Sequence, residues 1–151
     1  MTFPNGAHVV EVEIDRDTGE VKLARYTAVD DYGVLVNPMI AAGQAHGAIA
    51  QGVGQALFEH AVYDPGSGQL IAGSFMDYAM PRADDLPSFD LGFNGTRCTT
   101  NPLGVKGCGE AGAIAAFPAI VNAIADALAP LGVANFTGPA TAQKIWRAMR
   151  S

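Results

Sequence analysis

The chain has 151 residues, enough for one domain with a core but short for two. Its net charge of −6 and pI near 4.8 give a surface that repels phosphate backbones, which excludes nucleic acid as a partner. Apolar residues make up 49% and charged residues 16%, which excludes a disordered tail and indicates apolar surface that something outside the chain covers.

Targeting and redox features follow from the same composition. We expect no membrane span, since no apolar run approaches the roughly 20 residues that a span needs. The N-terminus has neither a basic patch nor an apolar stretch, so no signal peptide is expected. Cys98 and Cys108 are too few for a disulfide framework. The expected compartment is the cytoplasm.

The first predicted elements are two strands. Val10, Val12 and Ile14 alternate with glutamates, and apolar residues resume at Val21. Asp15-Arg16-Asp17-Thr18-Gly19 between them is typical of a turn. The pattern therefore predicts an antiparallel hairpin.

A helix is predicted next, from Met39 to His60, with Pro38 in its first turn. Small residues fill its interior, and each glycine costs about 1 kcal/mol relative to alanine. We therefore expect tertiary contacts to hold this helix, with another backbone or a ligand close to it. An isolated peptide of the segment should not be helical.

The second half predicts a mixture of short elements. A short hairpin is expected over 61–71, an irregular excursion over 74–86 and a third strand at Phe89, Leu91 and Phe93. An apolar helix follows over 111–128, kinked or split at Pro118. An amphipathic helix over 141–149 closes the chain, with Thr141 as its cap. We interpret residues 1–151 as a single α+β domain.

The most informative run is the loop between the third strand and the apolar helix. Its sequence is Asn101-Pro102-Leu103-Gly104-Val105-Lys106-Gly107-Cys108-Gly109-Glu110-Ala111-Gly112. It places Glu110 at a helix start, where the helix dipole favours negative charge. That position suits either an ionised base or an anion site, and a capped helix start without chemistry is equally compatible. Lys106 is equally suited to neutralising a phosphate or pairing with an acid.

A dinucleotide-binding interpretation of this loop is weak. Gly107, Gly109 and Gly112 match the spacing of the fingerprint. The fingerprint needs a hydrophobic strand directly before the loop, and 99–102 is not one. We therefore set a Rossmann fold aside.

Three ordered motifs resemble the molybdenum hydroxylase large subunits of the xanthine dehydrogenase and aldehyde oxidase family. The likeness is strongest to the carbon monoxide dehydrogenase large-chain branch, and it runs over essentially the whole chain. The motifs are Gly43-Gln44-Ala45-His46-Gly47-Ala48-Ile49-Ala50-Gln51-Gly52, then Gly73-Ser74-Phe75-Met76-Asp77-Tyr78 followed by Pro81, and the 101–112 loop.

This resemblance implies a molybdenum cofactor and an incomplete site. The expected cofactor is molybdopterin, as its cytosine dinucleotide, with molybdenum in the complete enzyme. Glu110 matches the general base that deprotonates a water-derived ligand of the metal, and Gln44 matches a glutamine that hydrogen-bonds the pterin. Gly107, Cys108 and Gly109 line the approach to Glu110. Electrons would leave through iron–sulfur clusters to FAD on partner subunits.

The length implies that the rest of a large subunit lies elsewhere. We expect the isolated chain to hold no molybdenum, to be inactive and to self-associate through an apolar patch. The chain is then a separately encoded subunit, a truncation, or a non-catalytic remnant that serves in assembly. Carbon monoxide, aldehydes and aromatic heterocycles all remain possible small-molecule substrates.

The other polar candidates favour structural roles. His8, His46 and His60 are too scattered to predict a metal site. Cys108 stands where relatives often carry a small apolar residue, which indicates a packing role. Asp30-Asp31 at a strand end is expected to hydrogen-bond a neighbouring loop.

Overall fold

The computed structural model describes residues 1–151 and begins with the predicted hairpin. Strand β1 (Asn5–Ile14) pairs antiparallel with β2 (Val21–Asp31). The Asp15 carboxylate accepts the amides of Asp17 at 2.7 Å and Thr18 at 3.2 Å, which closes the turn. Glu11 pairs with Arg25 and Val12 with Leu23, so one extra residue of β2 forms a bulge at Ala24.

The third strand confirms the prediction for its position. Strand β3 (Phe89–Phe93) lies beside β2, and the sheet order is β1-β2-β3. Its pairing with β2 is parallel, since a helix and a long excursion separate the two strands and return the chain to the same end of the sheet. The α+β prediction is confirmed, with one antiparallel pair and one parallel pair.

Helix α1 (Pro38–Leu57) lies where the sequence predicts a helix. Asn37 caps it, because its Oδ1 accepts the amide of Ile40 at 3.1 Å, and Pro38 occupies the first turn. The helix packs against the apolar helix that follows β3, and Ile49 and Val53 are fully buried in that contact. Tertiary packing therefore offsets its four glycines.

The excursion between α1 and β3 is largely irregular, as predicted. The short hairpin reduces to a single bridge between Tyr63 and Leu70. One turn of 3-10 helix spans Ala83–Asp85. The structure therefore contains no further strand pairing in this segment.

Helix α2 (Ala111–Leu128) corrects two expectations. It is not split at Pro118: it runs through the proline, held by buried Ala116, Ile120 and Ile124 on its inner face. With the 3-10 turn Ala129–Leu131 it forms 21 residues of mean hydropathy 1.7, long and apolar enough to cross a membrane by length and composition. Two prolines, one asparagine and one aspartate interrupt the apolar residues of this run in the sequence. In this structure α2 packs against α1 and β1.

The last helix, α3 (Ala142–Ala148), anchors through buried Ile145. Thr141 occupies the N-cap position, but its hydroxyl makes no capping hydrogen bond, so that prediction is wrong in its chemistry. The main core lies between one face of the sheet and the helices. Its buried members are Leu23, Tyr26, Ala28, Ile49, Val53, Ala56, Leu57, Ala116, Ile120, Ile124, Leu128, Ala140 and Ile145.

Candidate functional site

The loop over 94–110 leaves β3 and leads directly into α2. Asn101 organises its tightest part: its Oδ1 accepts the amides of Gly104 at 2.7 Å and Val105 at 3.2 Å, and its Nδ2 donates to the Val105 carbonyl at 3.0 Å. Gly104 has a φ of 74°, a conformation that strains any residue with a side chain. The Asn-Pro-x-Gly sequence therefore sets the shape of the loop.

A buried ion pair ties this loop to the end of β2. The Lys106 ammonium donates to Asp31 Oδ2 at 2.6 Å, and about a tenth of each side chain is exposed. Asp31 Oδ1 also accepts the amides of Gly33 at 2.8 Å and Thr96 at 2.9 Å. Lys106 beside Asp31 holds the pKa of that carboxyl well below its usual range. Of the two uses predicted for Lys106, the structure shows pairing with an acid.

Backbone contacts reinforce the same attachment. The Lys106 amide donates to the Tyr32 carbonyl at 2.9 Å, and the Val34 amide donates to the Gly104 carbonyl at 2.9 Å. The predicted hydrogen bond from Asp30-Asp31 to a neighbouring loop is thus confirmed at Asp31. Sequence analysis named both Asp31 and Lys106 but gave no signal that joined them across 75 positions.

The other aspartate of the pair belongs to a buried polar chain. Asp30 accepts the Tyr32 hydroxyl at 2.7 Å on Oδ2, and Nε2 of His8 lies 3.1 Å from Oδ1. The Tyr26 hydroxyl lies 2.6 Å from Nδ1 of His8. Burial and the Asp30 charge raise the pKa of Tyr26, so its hydroxyl keeps its proton. His8 therefore has a structural partner on each ring nitrogen.

The two long helices approach each other closely at the start of α2. A Cβ on Gly112 would lie 2.9 Å from the Ala45 carbonyl oxygen and 2.9 Å from the Ala48 Cβ. A Cβ on Gly52 would lie 2.5 Å from the Ala116 Cβ. Only glycine fits at either position without a shift of one helix. This contact holds the first turn of α2 against the middle of α1.

Glu110 and Gln44 come to the same place because of this contact. Glu110 is the N-cap residue of α2, is exposed, and makes no capping hydrogen bond with its side chain. Gln44 is exposed on α1, immediately before the Ala45 that Gly112 touches. Its Oε1 lies 4.0 Å from the position a Cβ of Gly109 would occupy. The structure therefore brings the Gln44 side chain close to Gly109, the residue directly before Glu110.

Gly107 and Cys108 lie on the strand side of this cluster. The Gly107 amide donates to the Thr2 carbonyl at 3.0 Å. Cys108 is half-buried near Tyr32, whose pKa is raised by burial, by its bond to Asp30 and by the nearby charges of Asp30 and Cys108. Neither residue is seen to touch Glu110 directly.

An open surface of α1 adjoins the cluster. A Cβ on Gly43 or Gly47 would meet no atom within 4 Å, so the helix backbone is bare on the side that carries Gln44. One ring nitrogen of His46 lies 2.8 Å from the Ala42 carbonyl, and the ring packs against Phe89, as its structural interpretation predicts. No three histidine, cysteine or acidic side chains lie close enough to hold a metal ion.

Comparison with known proteins gives consistent matches. The family description "Molybdopterin cofactor-binding domain" matches residues 1–87. The chain is 43% identical over 148 residues to the nicotine 6-hydroxylase large subunit of Paenarthrobacter nicotinovorans, covering 98% of this chain and 18% of that protein. It is 34% identical over 150 residues to the carbon monoxide dehydrogenase large chain of Hydrogenophaga pseudoflava, covering 99% of this chain and 19% of that one.

The solved structures agree with the sequence matches. Quinoline 2-oxidoreductase from Pseudomonas putida 86 superposes with a TM-score of 0.94 at 40% identity, over 98% of this chain and 19% of that one. The chain thus spans about a fifth of the length of these relatives.

Proposed function

Since the chain belongs to the molybdopterin cofactor-binding family, we propose that it forms one domain of a molybdenum hydroxylase large subunit. In that enzyme it contributes the catalytic glutamate, Glu110, and part of the cofactor site. The observation that carries the proposal is the position of Gln44, whose Oε1 lies 4.0 Å from the place a Cβ of Gly109 would occupy, directly before Glu110.

The residues present fit a pterin. Its fused rings carry amide-like edges, and the Gln44 side chain offers one hydrogen-bond donor group and one acceptor. The bare backbone at Gly43 and Gly47 leaves room for a flat ligand on that side of α1. Gly107 and Gly109 are both exposed, so the loop presents its backbone without side chains. Gln44, Gly107, Cys108 and Gly109 are the cofactor-contacting residues we propose.

Glu110 is the residue that we propose as the general base. The molybdenum cofactor, when bound, supplies the redox centre and the site at which a water-derived oxygen is delivered to substrate. Glu110 stands at the N-terminal, positive end of the α2 dipole. Without a capping bond, both carboxylate oxygens are free to accept a proton. General bases of this kind contribute roughly 10²- to 10⁴-fold to rate.

The complete enzyme requires further polypeptides. Relatives are about five times longer, so we propose that the remaining large subunit supplies the other part of the cofactor cradle. Iron–sulfur and flavin subunits would carry electrons away, and the pterin would be the cytosine dinucleotide. Similarity to enzymes named for nicotine and quinoline supports an aromatic nitrogen heterocycle as substrate, with carbon monoxide and aldehydes as the alternatives.

Metal and pterin analysis tests the proposal. Material co-purified from the native host should contain molybdenum, a pterin nucleotide and larger partner chains, whereas the chain expressed alone should contain none. A lone, metal-free native chain would instead identify an assembly module or remnant. Stoichiometric cofactor on the isolated chain would contradict the view that the site is shared.

Substitution of the base tests its role within the loaded enzyme. Glu110→Gln should lower kcat by about 10²- to 10⁴-fold while molybdenum content stays unchanged. Glu13→Gln, an exposed carboxylate on β1, is the matched control and should leave kcat as it is. An active Glu110→Gln enzyme would remove Glu110 from the mechanism.

A further inference from the structure

A groove of about 650 Å³ lies beside β2. One wall is the start of β2 over 21–24 with Glu20 before it, and the other is formed by residues 84–87. The floor is apolar, formed by side chains that include Leu57, Phe58 and Ala140. The 101–110 loop contributes nothing to its lining, so the groove is distinct from the candidate site.

The strand wall of this groove has an open hydrogen-bonding edge. Strand β3 pairs only with Tyr26–Asp30, the second half of β2. No strand pairs with 21–24 on that side, although β1 pairs with 21–23 on the other. An unpaired strand edge presents backbone amides and carbonyls ready to pair with another extended chain.

The rim of the groove is mainly acidic. Glu20, Asp84 and Asp85 stand along it, with Lys22 as the single cation. Asp85 is already engaged, because it accepts the Arg82 amide at 2.7 Å, but Glu20 and Asp84 accept no side-chain hydrogen bond from the protein. An occupant with a lysine or arginine near this rim would be complementary in charge.

We propose that this groove receives an extended segment of the large subunit outside these 151 residues, added as a strand beside 21–24. The segment has apolar side chains at alternate positions, which face the apolar floor, and a cationic side chain at the acidic rim. Four strand residues span about 13 Å, which defines a short addition. This inference rests on the proposal that the chain works as part of a longer large subunit.

One observation favours that source over a separate protein, and a second favours binding as an added strand. The relatives are about five times longer than this chain, so most of the subunit's polypeptide is available to cover the groove. The open edge continues the line of β3 along β2, so a strand added there would extend the existing sheet rather than start a new one.

Hydrogen–deuterium exchange tests the strand addition. The amides of 21–24 that face the groove should exchange at least about tenfold more slowly in the enzyme purified from its native host than in the 151-residue chain alone. Those of Tyr26–Asp30, paired on both sides, should be protected in both. If no larger chain co-purifies, both proposals fail. If a larger chain does co-purify, and the amides of 21–24 exchange equally fast in the enzyme and in the isolated chain, only the strand addition is overturned.

Charge reversal supplies an independent readout. Glu20→Lys with Asp84→Lys should weaken association of the chain with the remaining large subunit by about tenfold. The control, Asp17→Lys with Asp126→Lys, makes the same charge change at exposed positions outside the groove and should leave the affinity unchanged. Equal affinities for both double variants would overturn the inference. Circular dichroism verifies that each variant is folded.

Discussion

The contact between α1 and α2 makes opposite predictions for one substitution at two glycines of the same helix. Gly47→Ala adds a methyl group into open space, so only the helix propensity changes, by about 1 kcal/mol in favour of folding. Gly52→Ala gains the same propensity but places its Cβ 2.5 Å from that of Ala116. Carbon atoms prefer about 3.5–4.0 Å, so α2 must move by roughly 1 Å.

The size of the difference follows from the cost of overpacking. An extra methyl in a filled contact costs about 1–3 kcal/mol. Since the propensity term is common to both variants, it cancels, and Gly52→Ala should be less stable than Gly47→Ala by about 2 kcal/mol. For a chain of this length, 1 kcal/mol corresponds to about 2–4 °C. The two melting temperatures should therefore differ by about 4–8 °C.

Thermal unfolding of both variants beside the wild type measures this difference. The expected order is Gly47→Ala above wild type, with Gly52→Ala below Gly47→Ala by that interval. Equal increases in both variants would refute the reasoning, because they would show that Gly52 has room for a side chain. The close approach at Gly52 would then not be what fixes α2 against α1.

Other features give predictions of different kinds. Lys106→Met removes the main cause of the lowered pKa of Asp31. Because the pKa of Asp31 is lowered in the folded state, its carboxylate stabilises the fold above pH 3.8, and this stabilisation is lost as the pH falls below that value. The urea midpoint of the variant should therefore fall less in acid than that of the wild type. Tyr26→Phe removes the hydrogen-bond partner of Nδ1 in buried His8. The free energy of unfolding, measured in urea, should fall by about 1–3 kcal/mol. A peptide of 38–57 should show a coil spectrum by circular dichroism.

The sequence predicts local structure well because local structure depends on local patterns. The alternation from Val10 to Ile14 was sufficient for the hairpin, and Asn37-Pro38 for the start of α1. The irregular excursion before β3 followed from its prolines and turn residues. In each case the physical cause lies within a few residues of the feature.

Features that depend on distant residues were not predictable in the same way. The pairing of Asp31 with Lys106 requires the end of β2 to meet a loop 75 residues later. The parallel direction of β3 depends on the path of the excursion before it. An irregular path has no repeating pattern of apolar residues from which it could be predicted. Pro118 was expected to interrupt α2, but burial of one helix face outweighs the hydrogen bond that a proline removes.

The candidate site combines both cases. Glycine content predicted close backbone approach, and the position of Glu110 at a helix start was evident from the loop before it. The assignment of Glu110 and Gln44 to one cofactor site comes from the resemblance alone, since no local pattern joins positions 66 residues apart. The roles of these residues remain predictions for the loaded enzyme to test.

The first two residues of the chain affect how the protein should be handled. The Thr2 carbonyl accepts a hydrogen bond from the Gly107 amide at 3.0 Å, and the Met1 carbonyl accepts one from the Thr100 hydroxyl at 3.1 Å. An affinity tag or protease site fused directly before Met1 of the 151-residue chain would therefore lie beside the glycine loop that carries the proposed base. At the other end, the Ser151 side chain bonds only to Ala148, within the same helical turn. Purification handles and spectroscopic labels belong at that end.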